Sequence, residues 1–581
     1  MAQVPLTVLK FGSSVLRTPA DLPEAVHEIY REWRAGRRVV AVVSALGDTT
    51  DRLLAEAEKS QPPPAGHELA RLLATGEAAA VQLLALALQR AGIPAYALAP
   101  EQNGLRTAGP PLDARPVSLD ASGLLRLLAA RPVLVLPGFA GTDAVSGETT
   151  VLGRGGSDLS ALFIAQVLHA QGCRLLKDVD GLYERDPAAA GPPPRRYLRL
   201  RYADALRLDG GIVQHKALRF AAEQRLRFQV GSCGGDRATE IGTAETRTET
   251  PQPATTAPLR VALLGLGTVG AGVQSELQRQ RERFAVVGAA VRDLRKPRAA
   301  TLTNLALTDS TDSLLDQDYD VLVDLTGSSE SSRWLRRALQ EGRDAVTAGK
   351  EVVAREGAAL QRLARTHGGR LLCSASVGGA LPALETVRQL ARRGPIRSFD
   401  GILSGTCNFL LDRLHDGIEL EDAVAEAQKQ GLAEADPSAD LSGRDAAWKL
   451  AILAEAAFGT PLAPELIQRE GIAHLRPADL AAVAASGGVL KLVASACREP
   501  DGRLHAEVAP LWLHPEHPLA QATGAENRLL ITPEHGPPEL WCATGAGRWP
   551  TTESVLADLL DLWRLRRGAA VLEATPAEAA A

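Results

Sequence analysis

In the stretch LSGRDAAWKLAILAEAAFG (441–459), Asp445 and Lys449 stand four apart within a helical pattern. That spacing puts both side chains on one helical face. An ammonium group can protonate or polarise a carbonyl oxygen, and a neighbouring carboxylate can hold it in place and balance its charge. The same spacing also describes a surface ion pair worth about 0.3–0.5 kcal/mol. A second pattern lies in LRVALLGLGTVG (259–270), where Gly265, Gly267 and Gly270 form G-x-G-x-x-G between strand-like and helix-like residues. The first glycine permits a tight turn, the second lets backbone approach a pyrophosphate, and the third lets helix and strand pack closely. Thr268 and Val269 complete the turn. The next apolar run ends in Val291-Arg292-Asp293, with Lys296 close by. A carboxylate there takes the ribose 2′-hydroxyl of NAD, whereas a cation accommodates the 2′-phosphate of NADP. Arg292 stands first, so NADP(H) is the preferred cofactor and NAD(H) the alternative. Two solvated surface cations are the competing account.

The first half offers different chemistry. Lys10 precedes a small-residue turn, Gly12-Ser13-Ser14, and TTVLGRGGSD (149–158) sets Gly155, Gly156, Ser157 and Asp158 before a helical stretch. There is no G-x-x-x-x-G-K-[ST] sequence, so this is no P-loop. Two glycine-containing turns at helix starts, with Lys10 on one and Arg154 on the other, suit phosphoryl groups, because amides cradle oxygens and cations neutralise charge developing in transfer.

These residues must be carried by alternating elements. The runs at 39–46, 132–139, 259–267, 285–291 and 320–327 read as buried strands, and 67–92 reads as a helix ending at Gly-Ile-Pro. The alternation predicts α/β units with mainly parallel sheets. Residues 234–258, rich in Thr, Gly, Pro and Glu and without aromatics, read as a linker. Length and patterning divide the chain into 1–233, the linker 234–258, a nucleotide domain 259–395, a mixed α/β domain 396–570 and a tail 571–581. In the mixed domain, 489–499 and 503–513 read as strands, and the final helix is expected to return to the nucleotide domain.

The formal net charge of −5 argues against nucleic acid or an anionic membrane as partner. The six cysteines show no CxxC spacing, which argues against a zinc site and fits reduced thiols. The N-terminus lacks a signal-peptide pattern, and no uninterrupted apolar run approaches the roughly 20 residues of a membrane span. The expected location is cytoplasmic.

With GLGTVG, TAGKEVVA (347–354), ASVGGALP (375–382), SGTCNF (404–409), GLAEADPSADLSGRDAAWK (431–449) and GAGRWPTTESVLADL (545–559), the second half resembles homoserine dehydrogenase over about 300 residues. The resemblance implies a Rossmann-type nucleotide domain followed by a substrate-binding and dimerisation domain. It implies Lys449 as proton donor with Asp445 as its partner, Glu434 and Asp440 holding substrate, Lys350 near the nicotinamide, and Thr326 and Gly327 touching the cofactor. The reaction implied is reduction of L-aspartate 4-semialdehyde to L-homoserine. A homodimer or higher homo-oligomer is implied as well. The family often carries Glu before Ala-Ser-Val, where it helps hold a monovalent cation. Here Ser374 stands there, leaving the carbonyls of Val377, Gly379 and Leu381 as the remaining ligands.

With KFGSSV, VVSALGDTTDRL (42–53), TGE (75–77), PGFAGTD (137–143), TTVLGRGGSD, KDVDGLYERDP (177–187) and VGS (230–232), the first half resembles aspartate kinase, of the amino-acid kinase superfamily. The resemblance implies Lys10 facing the transferring phosphate of Mg-ATP, and Ser44, Thr50, Glu77 and Arg154 holding L-aspartate. Asp178, Tyr183 and Asp186 would lie along the ATP site. Two departures stand out: Ser13 replaces a family glycine, and Ile212 replaces an ATP-side lysine, with Lys216 one helical turn on. Bifunctional relatives carry paired ACT regulatory domains between the two enzymes. The short linker leaves no room for such a pair, so threonine feedback is expected to be absent.

Overall fold

The computed structural model describes residues 5–62, 64–189, 191–249, 257–296, 298 and 305–572. The chain forms two compact units, one built mainly from residues 2–254 and the other from 255–569.

The first unit is organised on a nine-stranded sheet. Its order is Arg247–Glu249, Arg196–Arg201, Ala238–Gly242, Phe228–Ser232, Gly172–Lys177, Leu6–Phe11, Arg38–Val43, Val133–Pro137, Ala95–Ala97. The central strands run parallel, as expected of runs buried on both faces. Val39, Val40, Val42 and Val43 are fully buried. A smaller four-stranded sheet holds Arg115–Leu119, Leu105–Ala108, Ala140–Asp143 and Thr149–Val151. The helix Gly66–Arg90 is long and apolar enough to cross a membrane, and half of its apolar window is buried within the protein. Leu73, Val81, Leu84 and Leu88 lie on its buried side.

Two of the boundaries expected from sequence shift. Residues 234–258 are not simply a linker. Ala238–Gly242 pairs antiparallel with Phe228–Ser232 and parallel with Arg196–Arg201, and Arg247–Glu249 closes the sheet edge. Their composition misled because the ladder is made by backbone groups: Ala238–Gly242 lies inside the sheet and buries only Thr239, Ile241 and Gly242, and Arg247–Glu249 at the edge buries no side chain fully. Only 250–258 then joins the units, and 250–256 lie outside the described residues. The second shift is at 395/396. The helix Ala383–Arg393, expected inside the nucleotide domain, packs on the helix Arg444–Phe458 and the strand Glu526–Pro533 of the mixed domain.

The nucleotide domain is a six-stranded parallel sheet in the order Leu307–Thr308, Phe284–Ala290, Leu259–Leu264, Val321–Asp324, Asp344–Thr347, Leu371–Leu372. Strand order reverses beside Leu259–Leu264, where ligands bind at the carboxyl ends of such sheets. The final helix, Arg548–Leu572, does return here: Val555, Leu556, Leu559, Leu560 and Leu562 join the core of Val261, Leu263 and Val323. Residues 573–581 of the expected tail lie outside the described residues.

The mixed domain is a six-stranded sheet in the order Gln468–Arg469, Leu504–Leu513, Val489–Arg498, Ile396–Ile402, Glu526–Pro533, Glu539–Thr544, antiparallel except at its first pair. The helix Arg444–Phe458 packs on this sheet and on the nucleotide-domain helix Lys350–His367. It therefore bridges the two domains of the second unit.

Candidate active sites

Asp445 lies at the start of the helix Arg444–Phe458 and is almost completely buried. One of its oxygens meets Lys449 Nζ at 2.6 Å, one turn along the same helix. The other pairs with Lys350 Nζ from the nucleotide domain. Burial pushes the Asp445 carboxyl up, but the two ammonium groups outweigh it and hold the carboxyl well below the usual range. Lys350 opens the helix Lys350–His367, where a cation opposes the helix dipole. Burial works to lower it, yet Asp445, then Asp440 and Glu434, push it above the usual lysine range. Lys449 also donates to the Leu403 carbonyl at 2.8 Å. Two of its three N–H groups are thus directed, and one is left for a reacting oxygen.

Asp440 accepts from the Ser404 hydroxyl at 2.9 Å. Ser404 caps the helix Gly405–His415 by accepting from the Cys407 amide at 3.1 Å, so its proton is directed to Asp440. Burial first, and the Asp445 charge second, raise the Asp440 carboxyl to about 6. Glu434 is exposed in the loop before the short helix Ser438–Leu441, and the Gln428 side chain holds its carbonyl at 3.0 Å. Its charge reaches Lys350.

The glycine turn fits a dinucleotide. Gly265 has a φ of +91°, and a Cβ on Gly270 would collide with its carbonyl. A Cβ on Gly267 meets nothing within 4 Å, so the approach to its backbone is open. Thr268 and Val269 begin the helix Thr268–Arg279, with Gly267 at its N-cap, so the turn leads into the positive end of a helix. Gly327 is likewise open, with φ +65°. Arg292 and Lys296 are exposed, while the Asp293 carboxylate is turned into its own loop, accepting from the Arg295 amide at 2.8 Å. At the expected cation turn, the Leu381 carbonyl accepts from the Ala383 amide at 2.7 Å. Ser374 sits against Glu385 and lies 2.7 Å from Asp558. Val377 is buried, and Gly379 has a φ of +63°.

In the first unit Asp158 is buried between two lysines. Lys10 Nζ lies 2.8 Å from one oxygen and Lys177 Nζ 2.8 Å from the other. Burial works against the charged carboxylate, but the two cations hold it below the usual range. Burial, then Lys10, lowers Lys177. The lysines stand on the adjacent parallel strands Leu6–Phe11 and Gly172–Lys177, and Asp158 lies in the first turn of the helix Gly156–Val167. Gly155 caps that helix with φ +71°. Ser44 donates to Ser157 at 3.0 Å. Glu77 accepts from the Phe139 amide at 2.6 Å, and its burial raises its carboxyl to about 8. Gly12 lies beside Lys10 Nζ, and Ser13 and Ser14 are exposed in the turn that follows. Thr50 is half-buried at the start of the helix Thr49–Ala57, and Arg154 is exposed on its loop.

The ATP-side residues are less gathered. Tyr183 donates to Asp180 at 2.6 Å, and burial with that bond raises its phenol to about 12. Asp178 is exposed, and Asp186 accepts from the Ala188 amide within its own turn at 2.8 Å. Lys216 reaches the Leu152 carbonyl and, at 3.4 Å, Asp113.

Three family models match the chain: "Amino acid kinase family" over residues 5–232, "Homoserine dehydrogenase, NAD binding domain" over 265–374 and "Homoserine dehydrogenase" over 382–560. The homoserine dehydrogenase of Synechocystis sp. is 36% identical over 316 residues, spanning 52% of this chain and 73% of that protein. That of Corynebacterium glutamicum is 35% identical over 315 residues, spanning 52% and 71%. The chain belongs to the homoserine dehydrogenase family. A solved homoserine dehydrogenase from Thiobacillus denitrificans superimposes with a TM-score of 0.52 at 35% identity, covering 56% of this chain and 77% of that one. The homoserine dehydrogenase half is preceded by an amino-acid kinase family domain, and the α/β architecture expected from sequence is the one observed.

Within the homoserine dehydrogenase half, the structure brings Lys350, Asp440, Asp445 and Lys449 together. Reasoning from sequence missed two residues of the clusters, Ser404 and Lys177, and the buried Asp324 at the end of the strand Val321–Asp324, which bonds Thr326 and Thr347. Ser404 and Lys177 begin motifs already recognised, SGTCNF and KDVDGLY, so a signal existed. Asp324, in an apolar strand, gave only the signal of a charge in a buried run.

Proposed function

We propose that the chain carries two enzymes acting in one amino-acid biosynthetic route. The homoserine dehydrogenase half interconverts L-aspartate 4-semialdehyde and L-homoserine, with NADP(H) preferred. The kinase-family half phosphorylates L-aspartate from Mg-ATP to 4-phospho-L-aspartate. The observation that carries the first reading is Asp445 held between Lys350 and Lys449, in a chain whose relatives are homoserine dehydrogenases.

A dinucleotide held at the turn Gly265–Gly270 would supply or accept the hydride. Lys449 gives its proton to the carbonyl oxygen of the semialdehyde as carbon is reduced, and takes the hydroxyl proton in the reverse direction. Asp445 fixes Lys449 and Lys350 across the domain joint. Asp440 and Glu434 hold the ammonium and hydroxyl side of the substrate. Arg292, exposed just past the strand Phe284–Ala290, would pair the 2′-phosphate of NADP.

In the other half, Lys10 and the amides at the start of the helix Gly156–Val167 neutralise and cradle the transferring phosphoryl group. Ser44, Thr50, Glu77 and Arg154 hold aspartate, with Arg154 pairing a carboxylate bidentately. Formation of aspartyl hydroxamate dependent on ATP and aspartate tests this half. If none forms while homoserine oxidation is intact, the kinase-like half is a binding module. Ser13, Ile212 and the engagement of Lys216 at the Leu152 carbonyl favour that second reading.

A further inference from the structure

Asp324 ends the strand Val321–Asp324 and is completely buried, yet the mechanism above gives it no role. Its oxygen Oδ1 accepts from the Thr326 amide at 3.1 Å and the Thr326 hydroxyl at 2.7 Å. Its oxygen Oδ2 accepts from the Thr347 hydroxyl at 2.8 Å. Each threonine oxygen in turn accepts an amide two residues on: Ser328 N to Thr326 at 3.2 Å, and Gly349 N to Thr347 at 2.9 Å. One carboxylate therefore fixes two turns. The first is the loop Thr326-Gly327-Ser328, tied to the strand that leads into the glycine turn by Leu325 N to Leu264 O at 2.8 Å. The second is Thr347-Ala348-Gly349, which delivers Lys350 into the first turn of its helix.

The direction of every proton in this device is set. Amides can only donate, so each hydroxyl oxygen accepts one and spends its own proton on Asp324. The buried carboxylate answers with charge-assisted bonds to three donors and sits near the positive end of the helix Lys350–His367. An asparagine would keep an acceptor for the Thr326 amide but leave the Thr347 hydroxyl proton without one. A Cβ on Gly349 would also press on both Thr347 Oγ1 and Asp324 Oδ2, so the second turn has little room to reorganise.

We infer that Asp324 is a positioning residue coupling dinucleotide binding to the placement of Lys350. A dinucleotide ordering the Thr326–Ser328 loop tightens Asp324, and through Thr347 it fixes the helix start that aims Lys350 at Asp445. Energetic coupling is reciprocal, so loosening the Lys350 side weakens dinucleotide binding in equal measure. The inference rests on the homoserine dehydrogenase reading only for the catalytic use of Lys350.

The test is the isosteric Thr347→Val in the full chain, with NADPH affinity measured by fluorescence titration and homoserine oxidation measured separately. The expected result is a dissociation constant raised about fivefold, a part of the worth of one charge-assisted bond, together with a lower kcat. Thr347→Ser restores both. A dissociation constant within about twofold of wild type, or no rescue by serine, overturns the coupling. Should Thr347→Val melt below the assay temperature, Thr326→Val gives the reverse arm: kcat falls even at saturating dinucleotide, and an unchanged kcat overturns the inference. If the wild-type chain binds NADPH but leaves homoserine untouched, the catalytic reading fails while the affinity comparison still decides the coupling.

Discussion

Each half of this chain buries one aspartate between two lysines, and the two clusters differ in what surrounds them. Asp158 faces Lys10 and Lys177, and the nearby Glu77 is raised to about 8, so near neutrality the buried groups hold one cation in excess, with the exposed Asp178 at the rim. Asp445 faces Lys350 and Lys449 with Asp440 beside them, so the inner groups balance two against two, and the exposed Glu434 at the rim adds one carboxylate in excess. The lysine shifts record the difference. Lys177 is pulled down by burial and Lys10, whereas Lys350 is pushed up by its carboxylates. Excess positive charge suits a phosphoryl group, and excess carboxylate suits the ammonium of an amino-acid substrate. The mounting differs as well. The first cluster rides on adjacent strands of one sheet and the helix beside them, while the second spans two domains.

The comparison breaks most visibly when the central carboxylates are removed one at a time. Asp445→Asn is expected to lower homoserine oxidation about a thousandfold and leave phosphorylation unchanged, and Asp158→Asn to do the reverse. Steady-state rates of both reactions on each variant check this. Each change also leaves buried cations without a counter-charge, so each costs about 3 kcal/mol of stability, read by denaturant unfolding of the affected half.

Next come the titrations. Asp440 ionises near 6, so kcat/KM for homoserine is expected to rise with pH through that value and then level off, and Asp440→Asn removes the step. Glu77 works through stability. Its folded value of about 8 lies above the ordinary 4.5, so its contribution is fully present below about pH 4.5 and is lost as pH rises through 8. Glu77→Gln is expected to flatten the pH dependence of unfolding of the first half across that window, measured by thermal melts. A smaller effect is expected at the cofactor's far end. Arg292→Ala raises KM for NADP about tenfold and leaves KM for NAD nearly unchanged, the worth of one charged contact. The smallest expectation is for threonine, which at millimolar levels leaves both activities unchanged, because the connection between the halves is shorter even than its composition implied.

What was legible in the sequence follows from the same physics. Asp445 and Lys449 share a helical face, so their pairing is readable from spacing alone, and the glycine turn declares itself by residue type. Lys350 joins them from nearly 100 residues away, and only the packing of the helix Lys350–His367 on Arg444–Phe458 brings it there. Lys10 and Lys177 are joined by strand adjacency and Asp158 by the packing of its helix on those strands, which no local pattern encodes. The strands Ala238–Gly242 and Arg247–Glu249 escaped notice because they are short and pair through backbone, one inside the sheet and one at its edge, so polar and small residues suffice.

The central claim is that Lys449 moves the proton at the homoserine dehydrogenase site. Its most direct test is the initial rate of NADP-dependent oxidation of L-homoserine by the full chain and by Lys449→Met, with NADPH affinity measured alongside. The account predicts a fall in kcat of about a hundredfold or more with dinucleotide affinity retained. A Lys449→Met enzyme turning over within about threefold of wild type would contradict it.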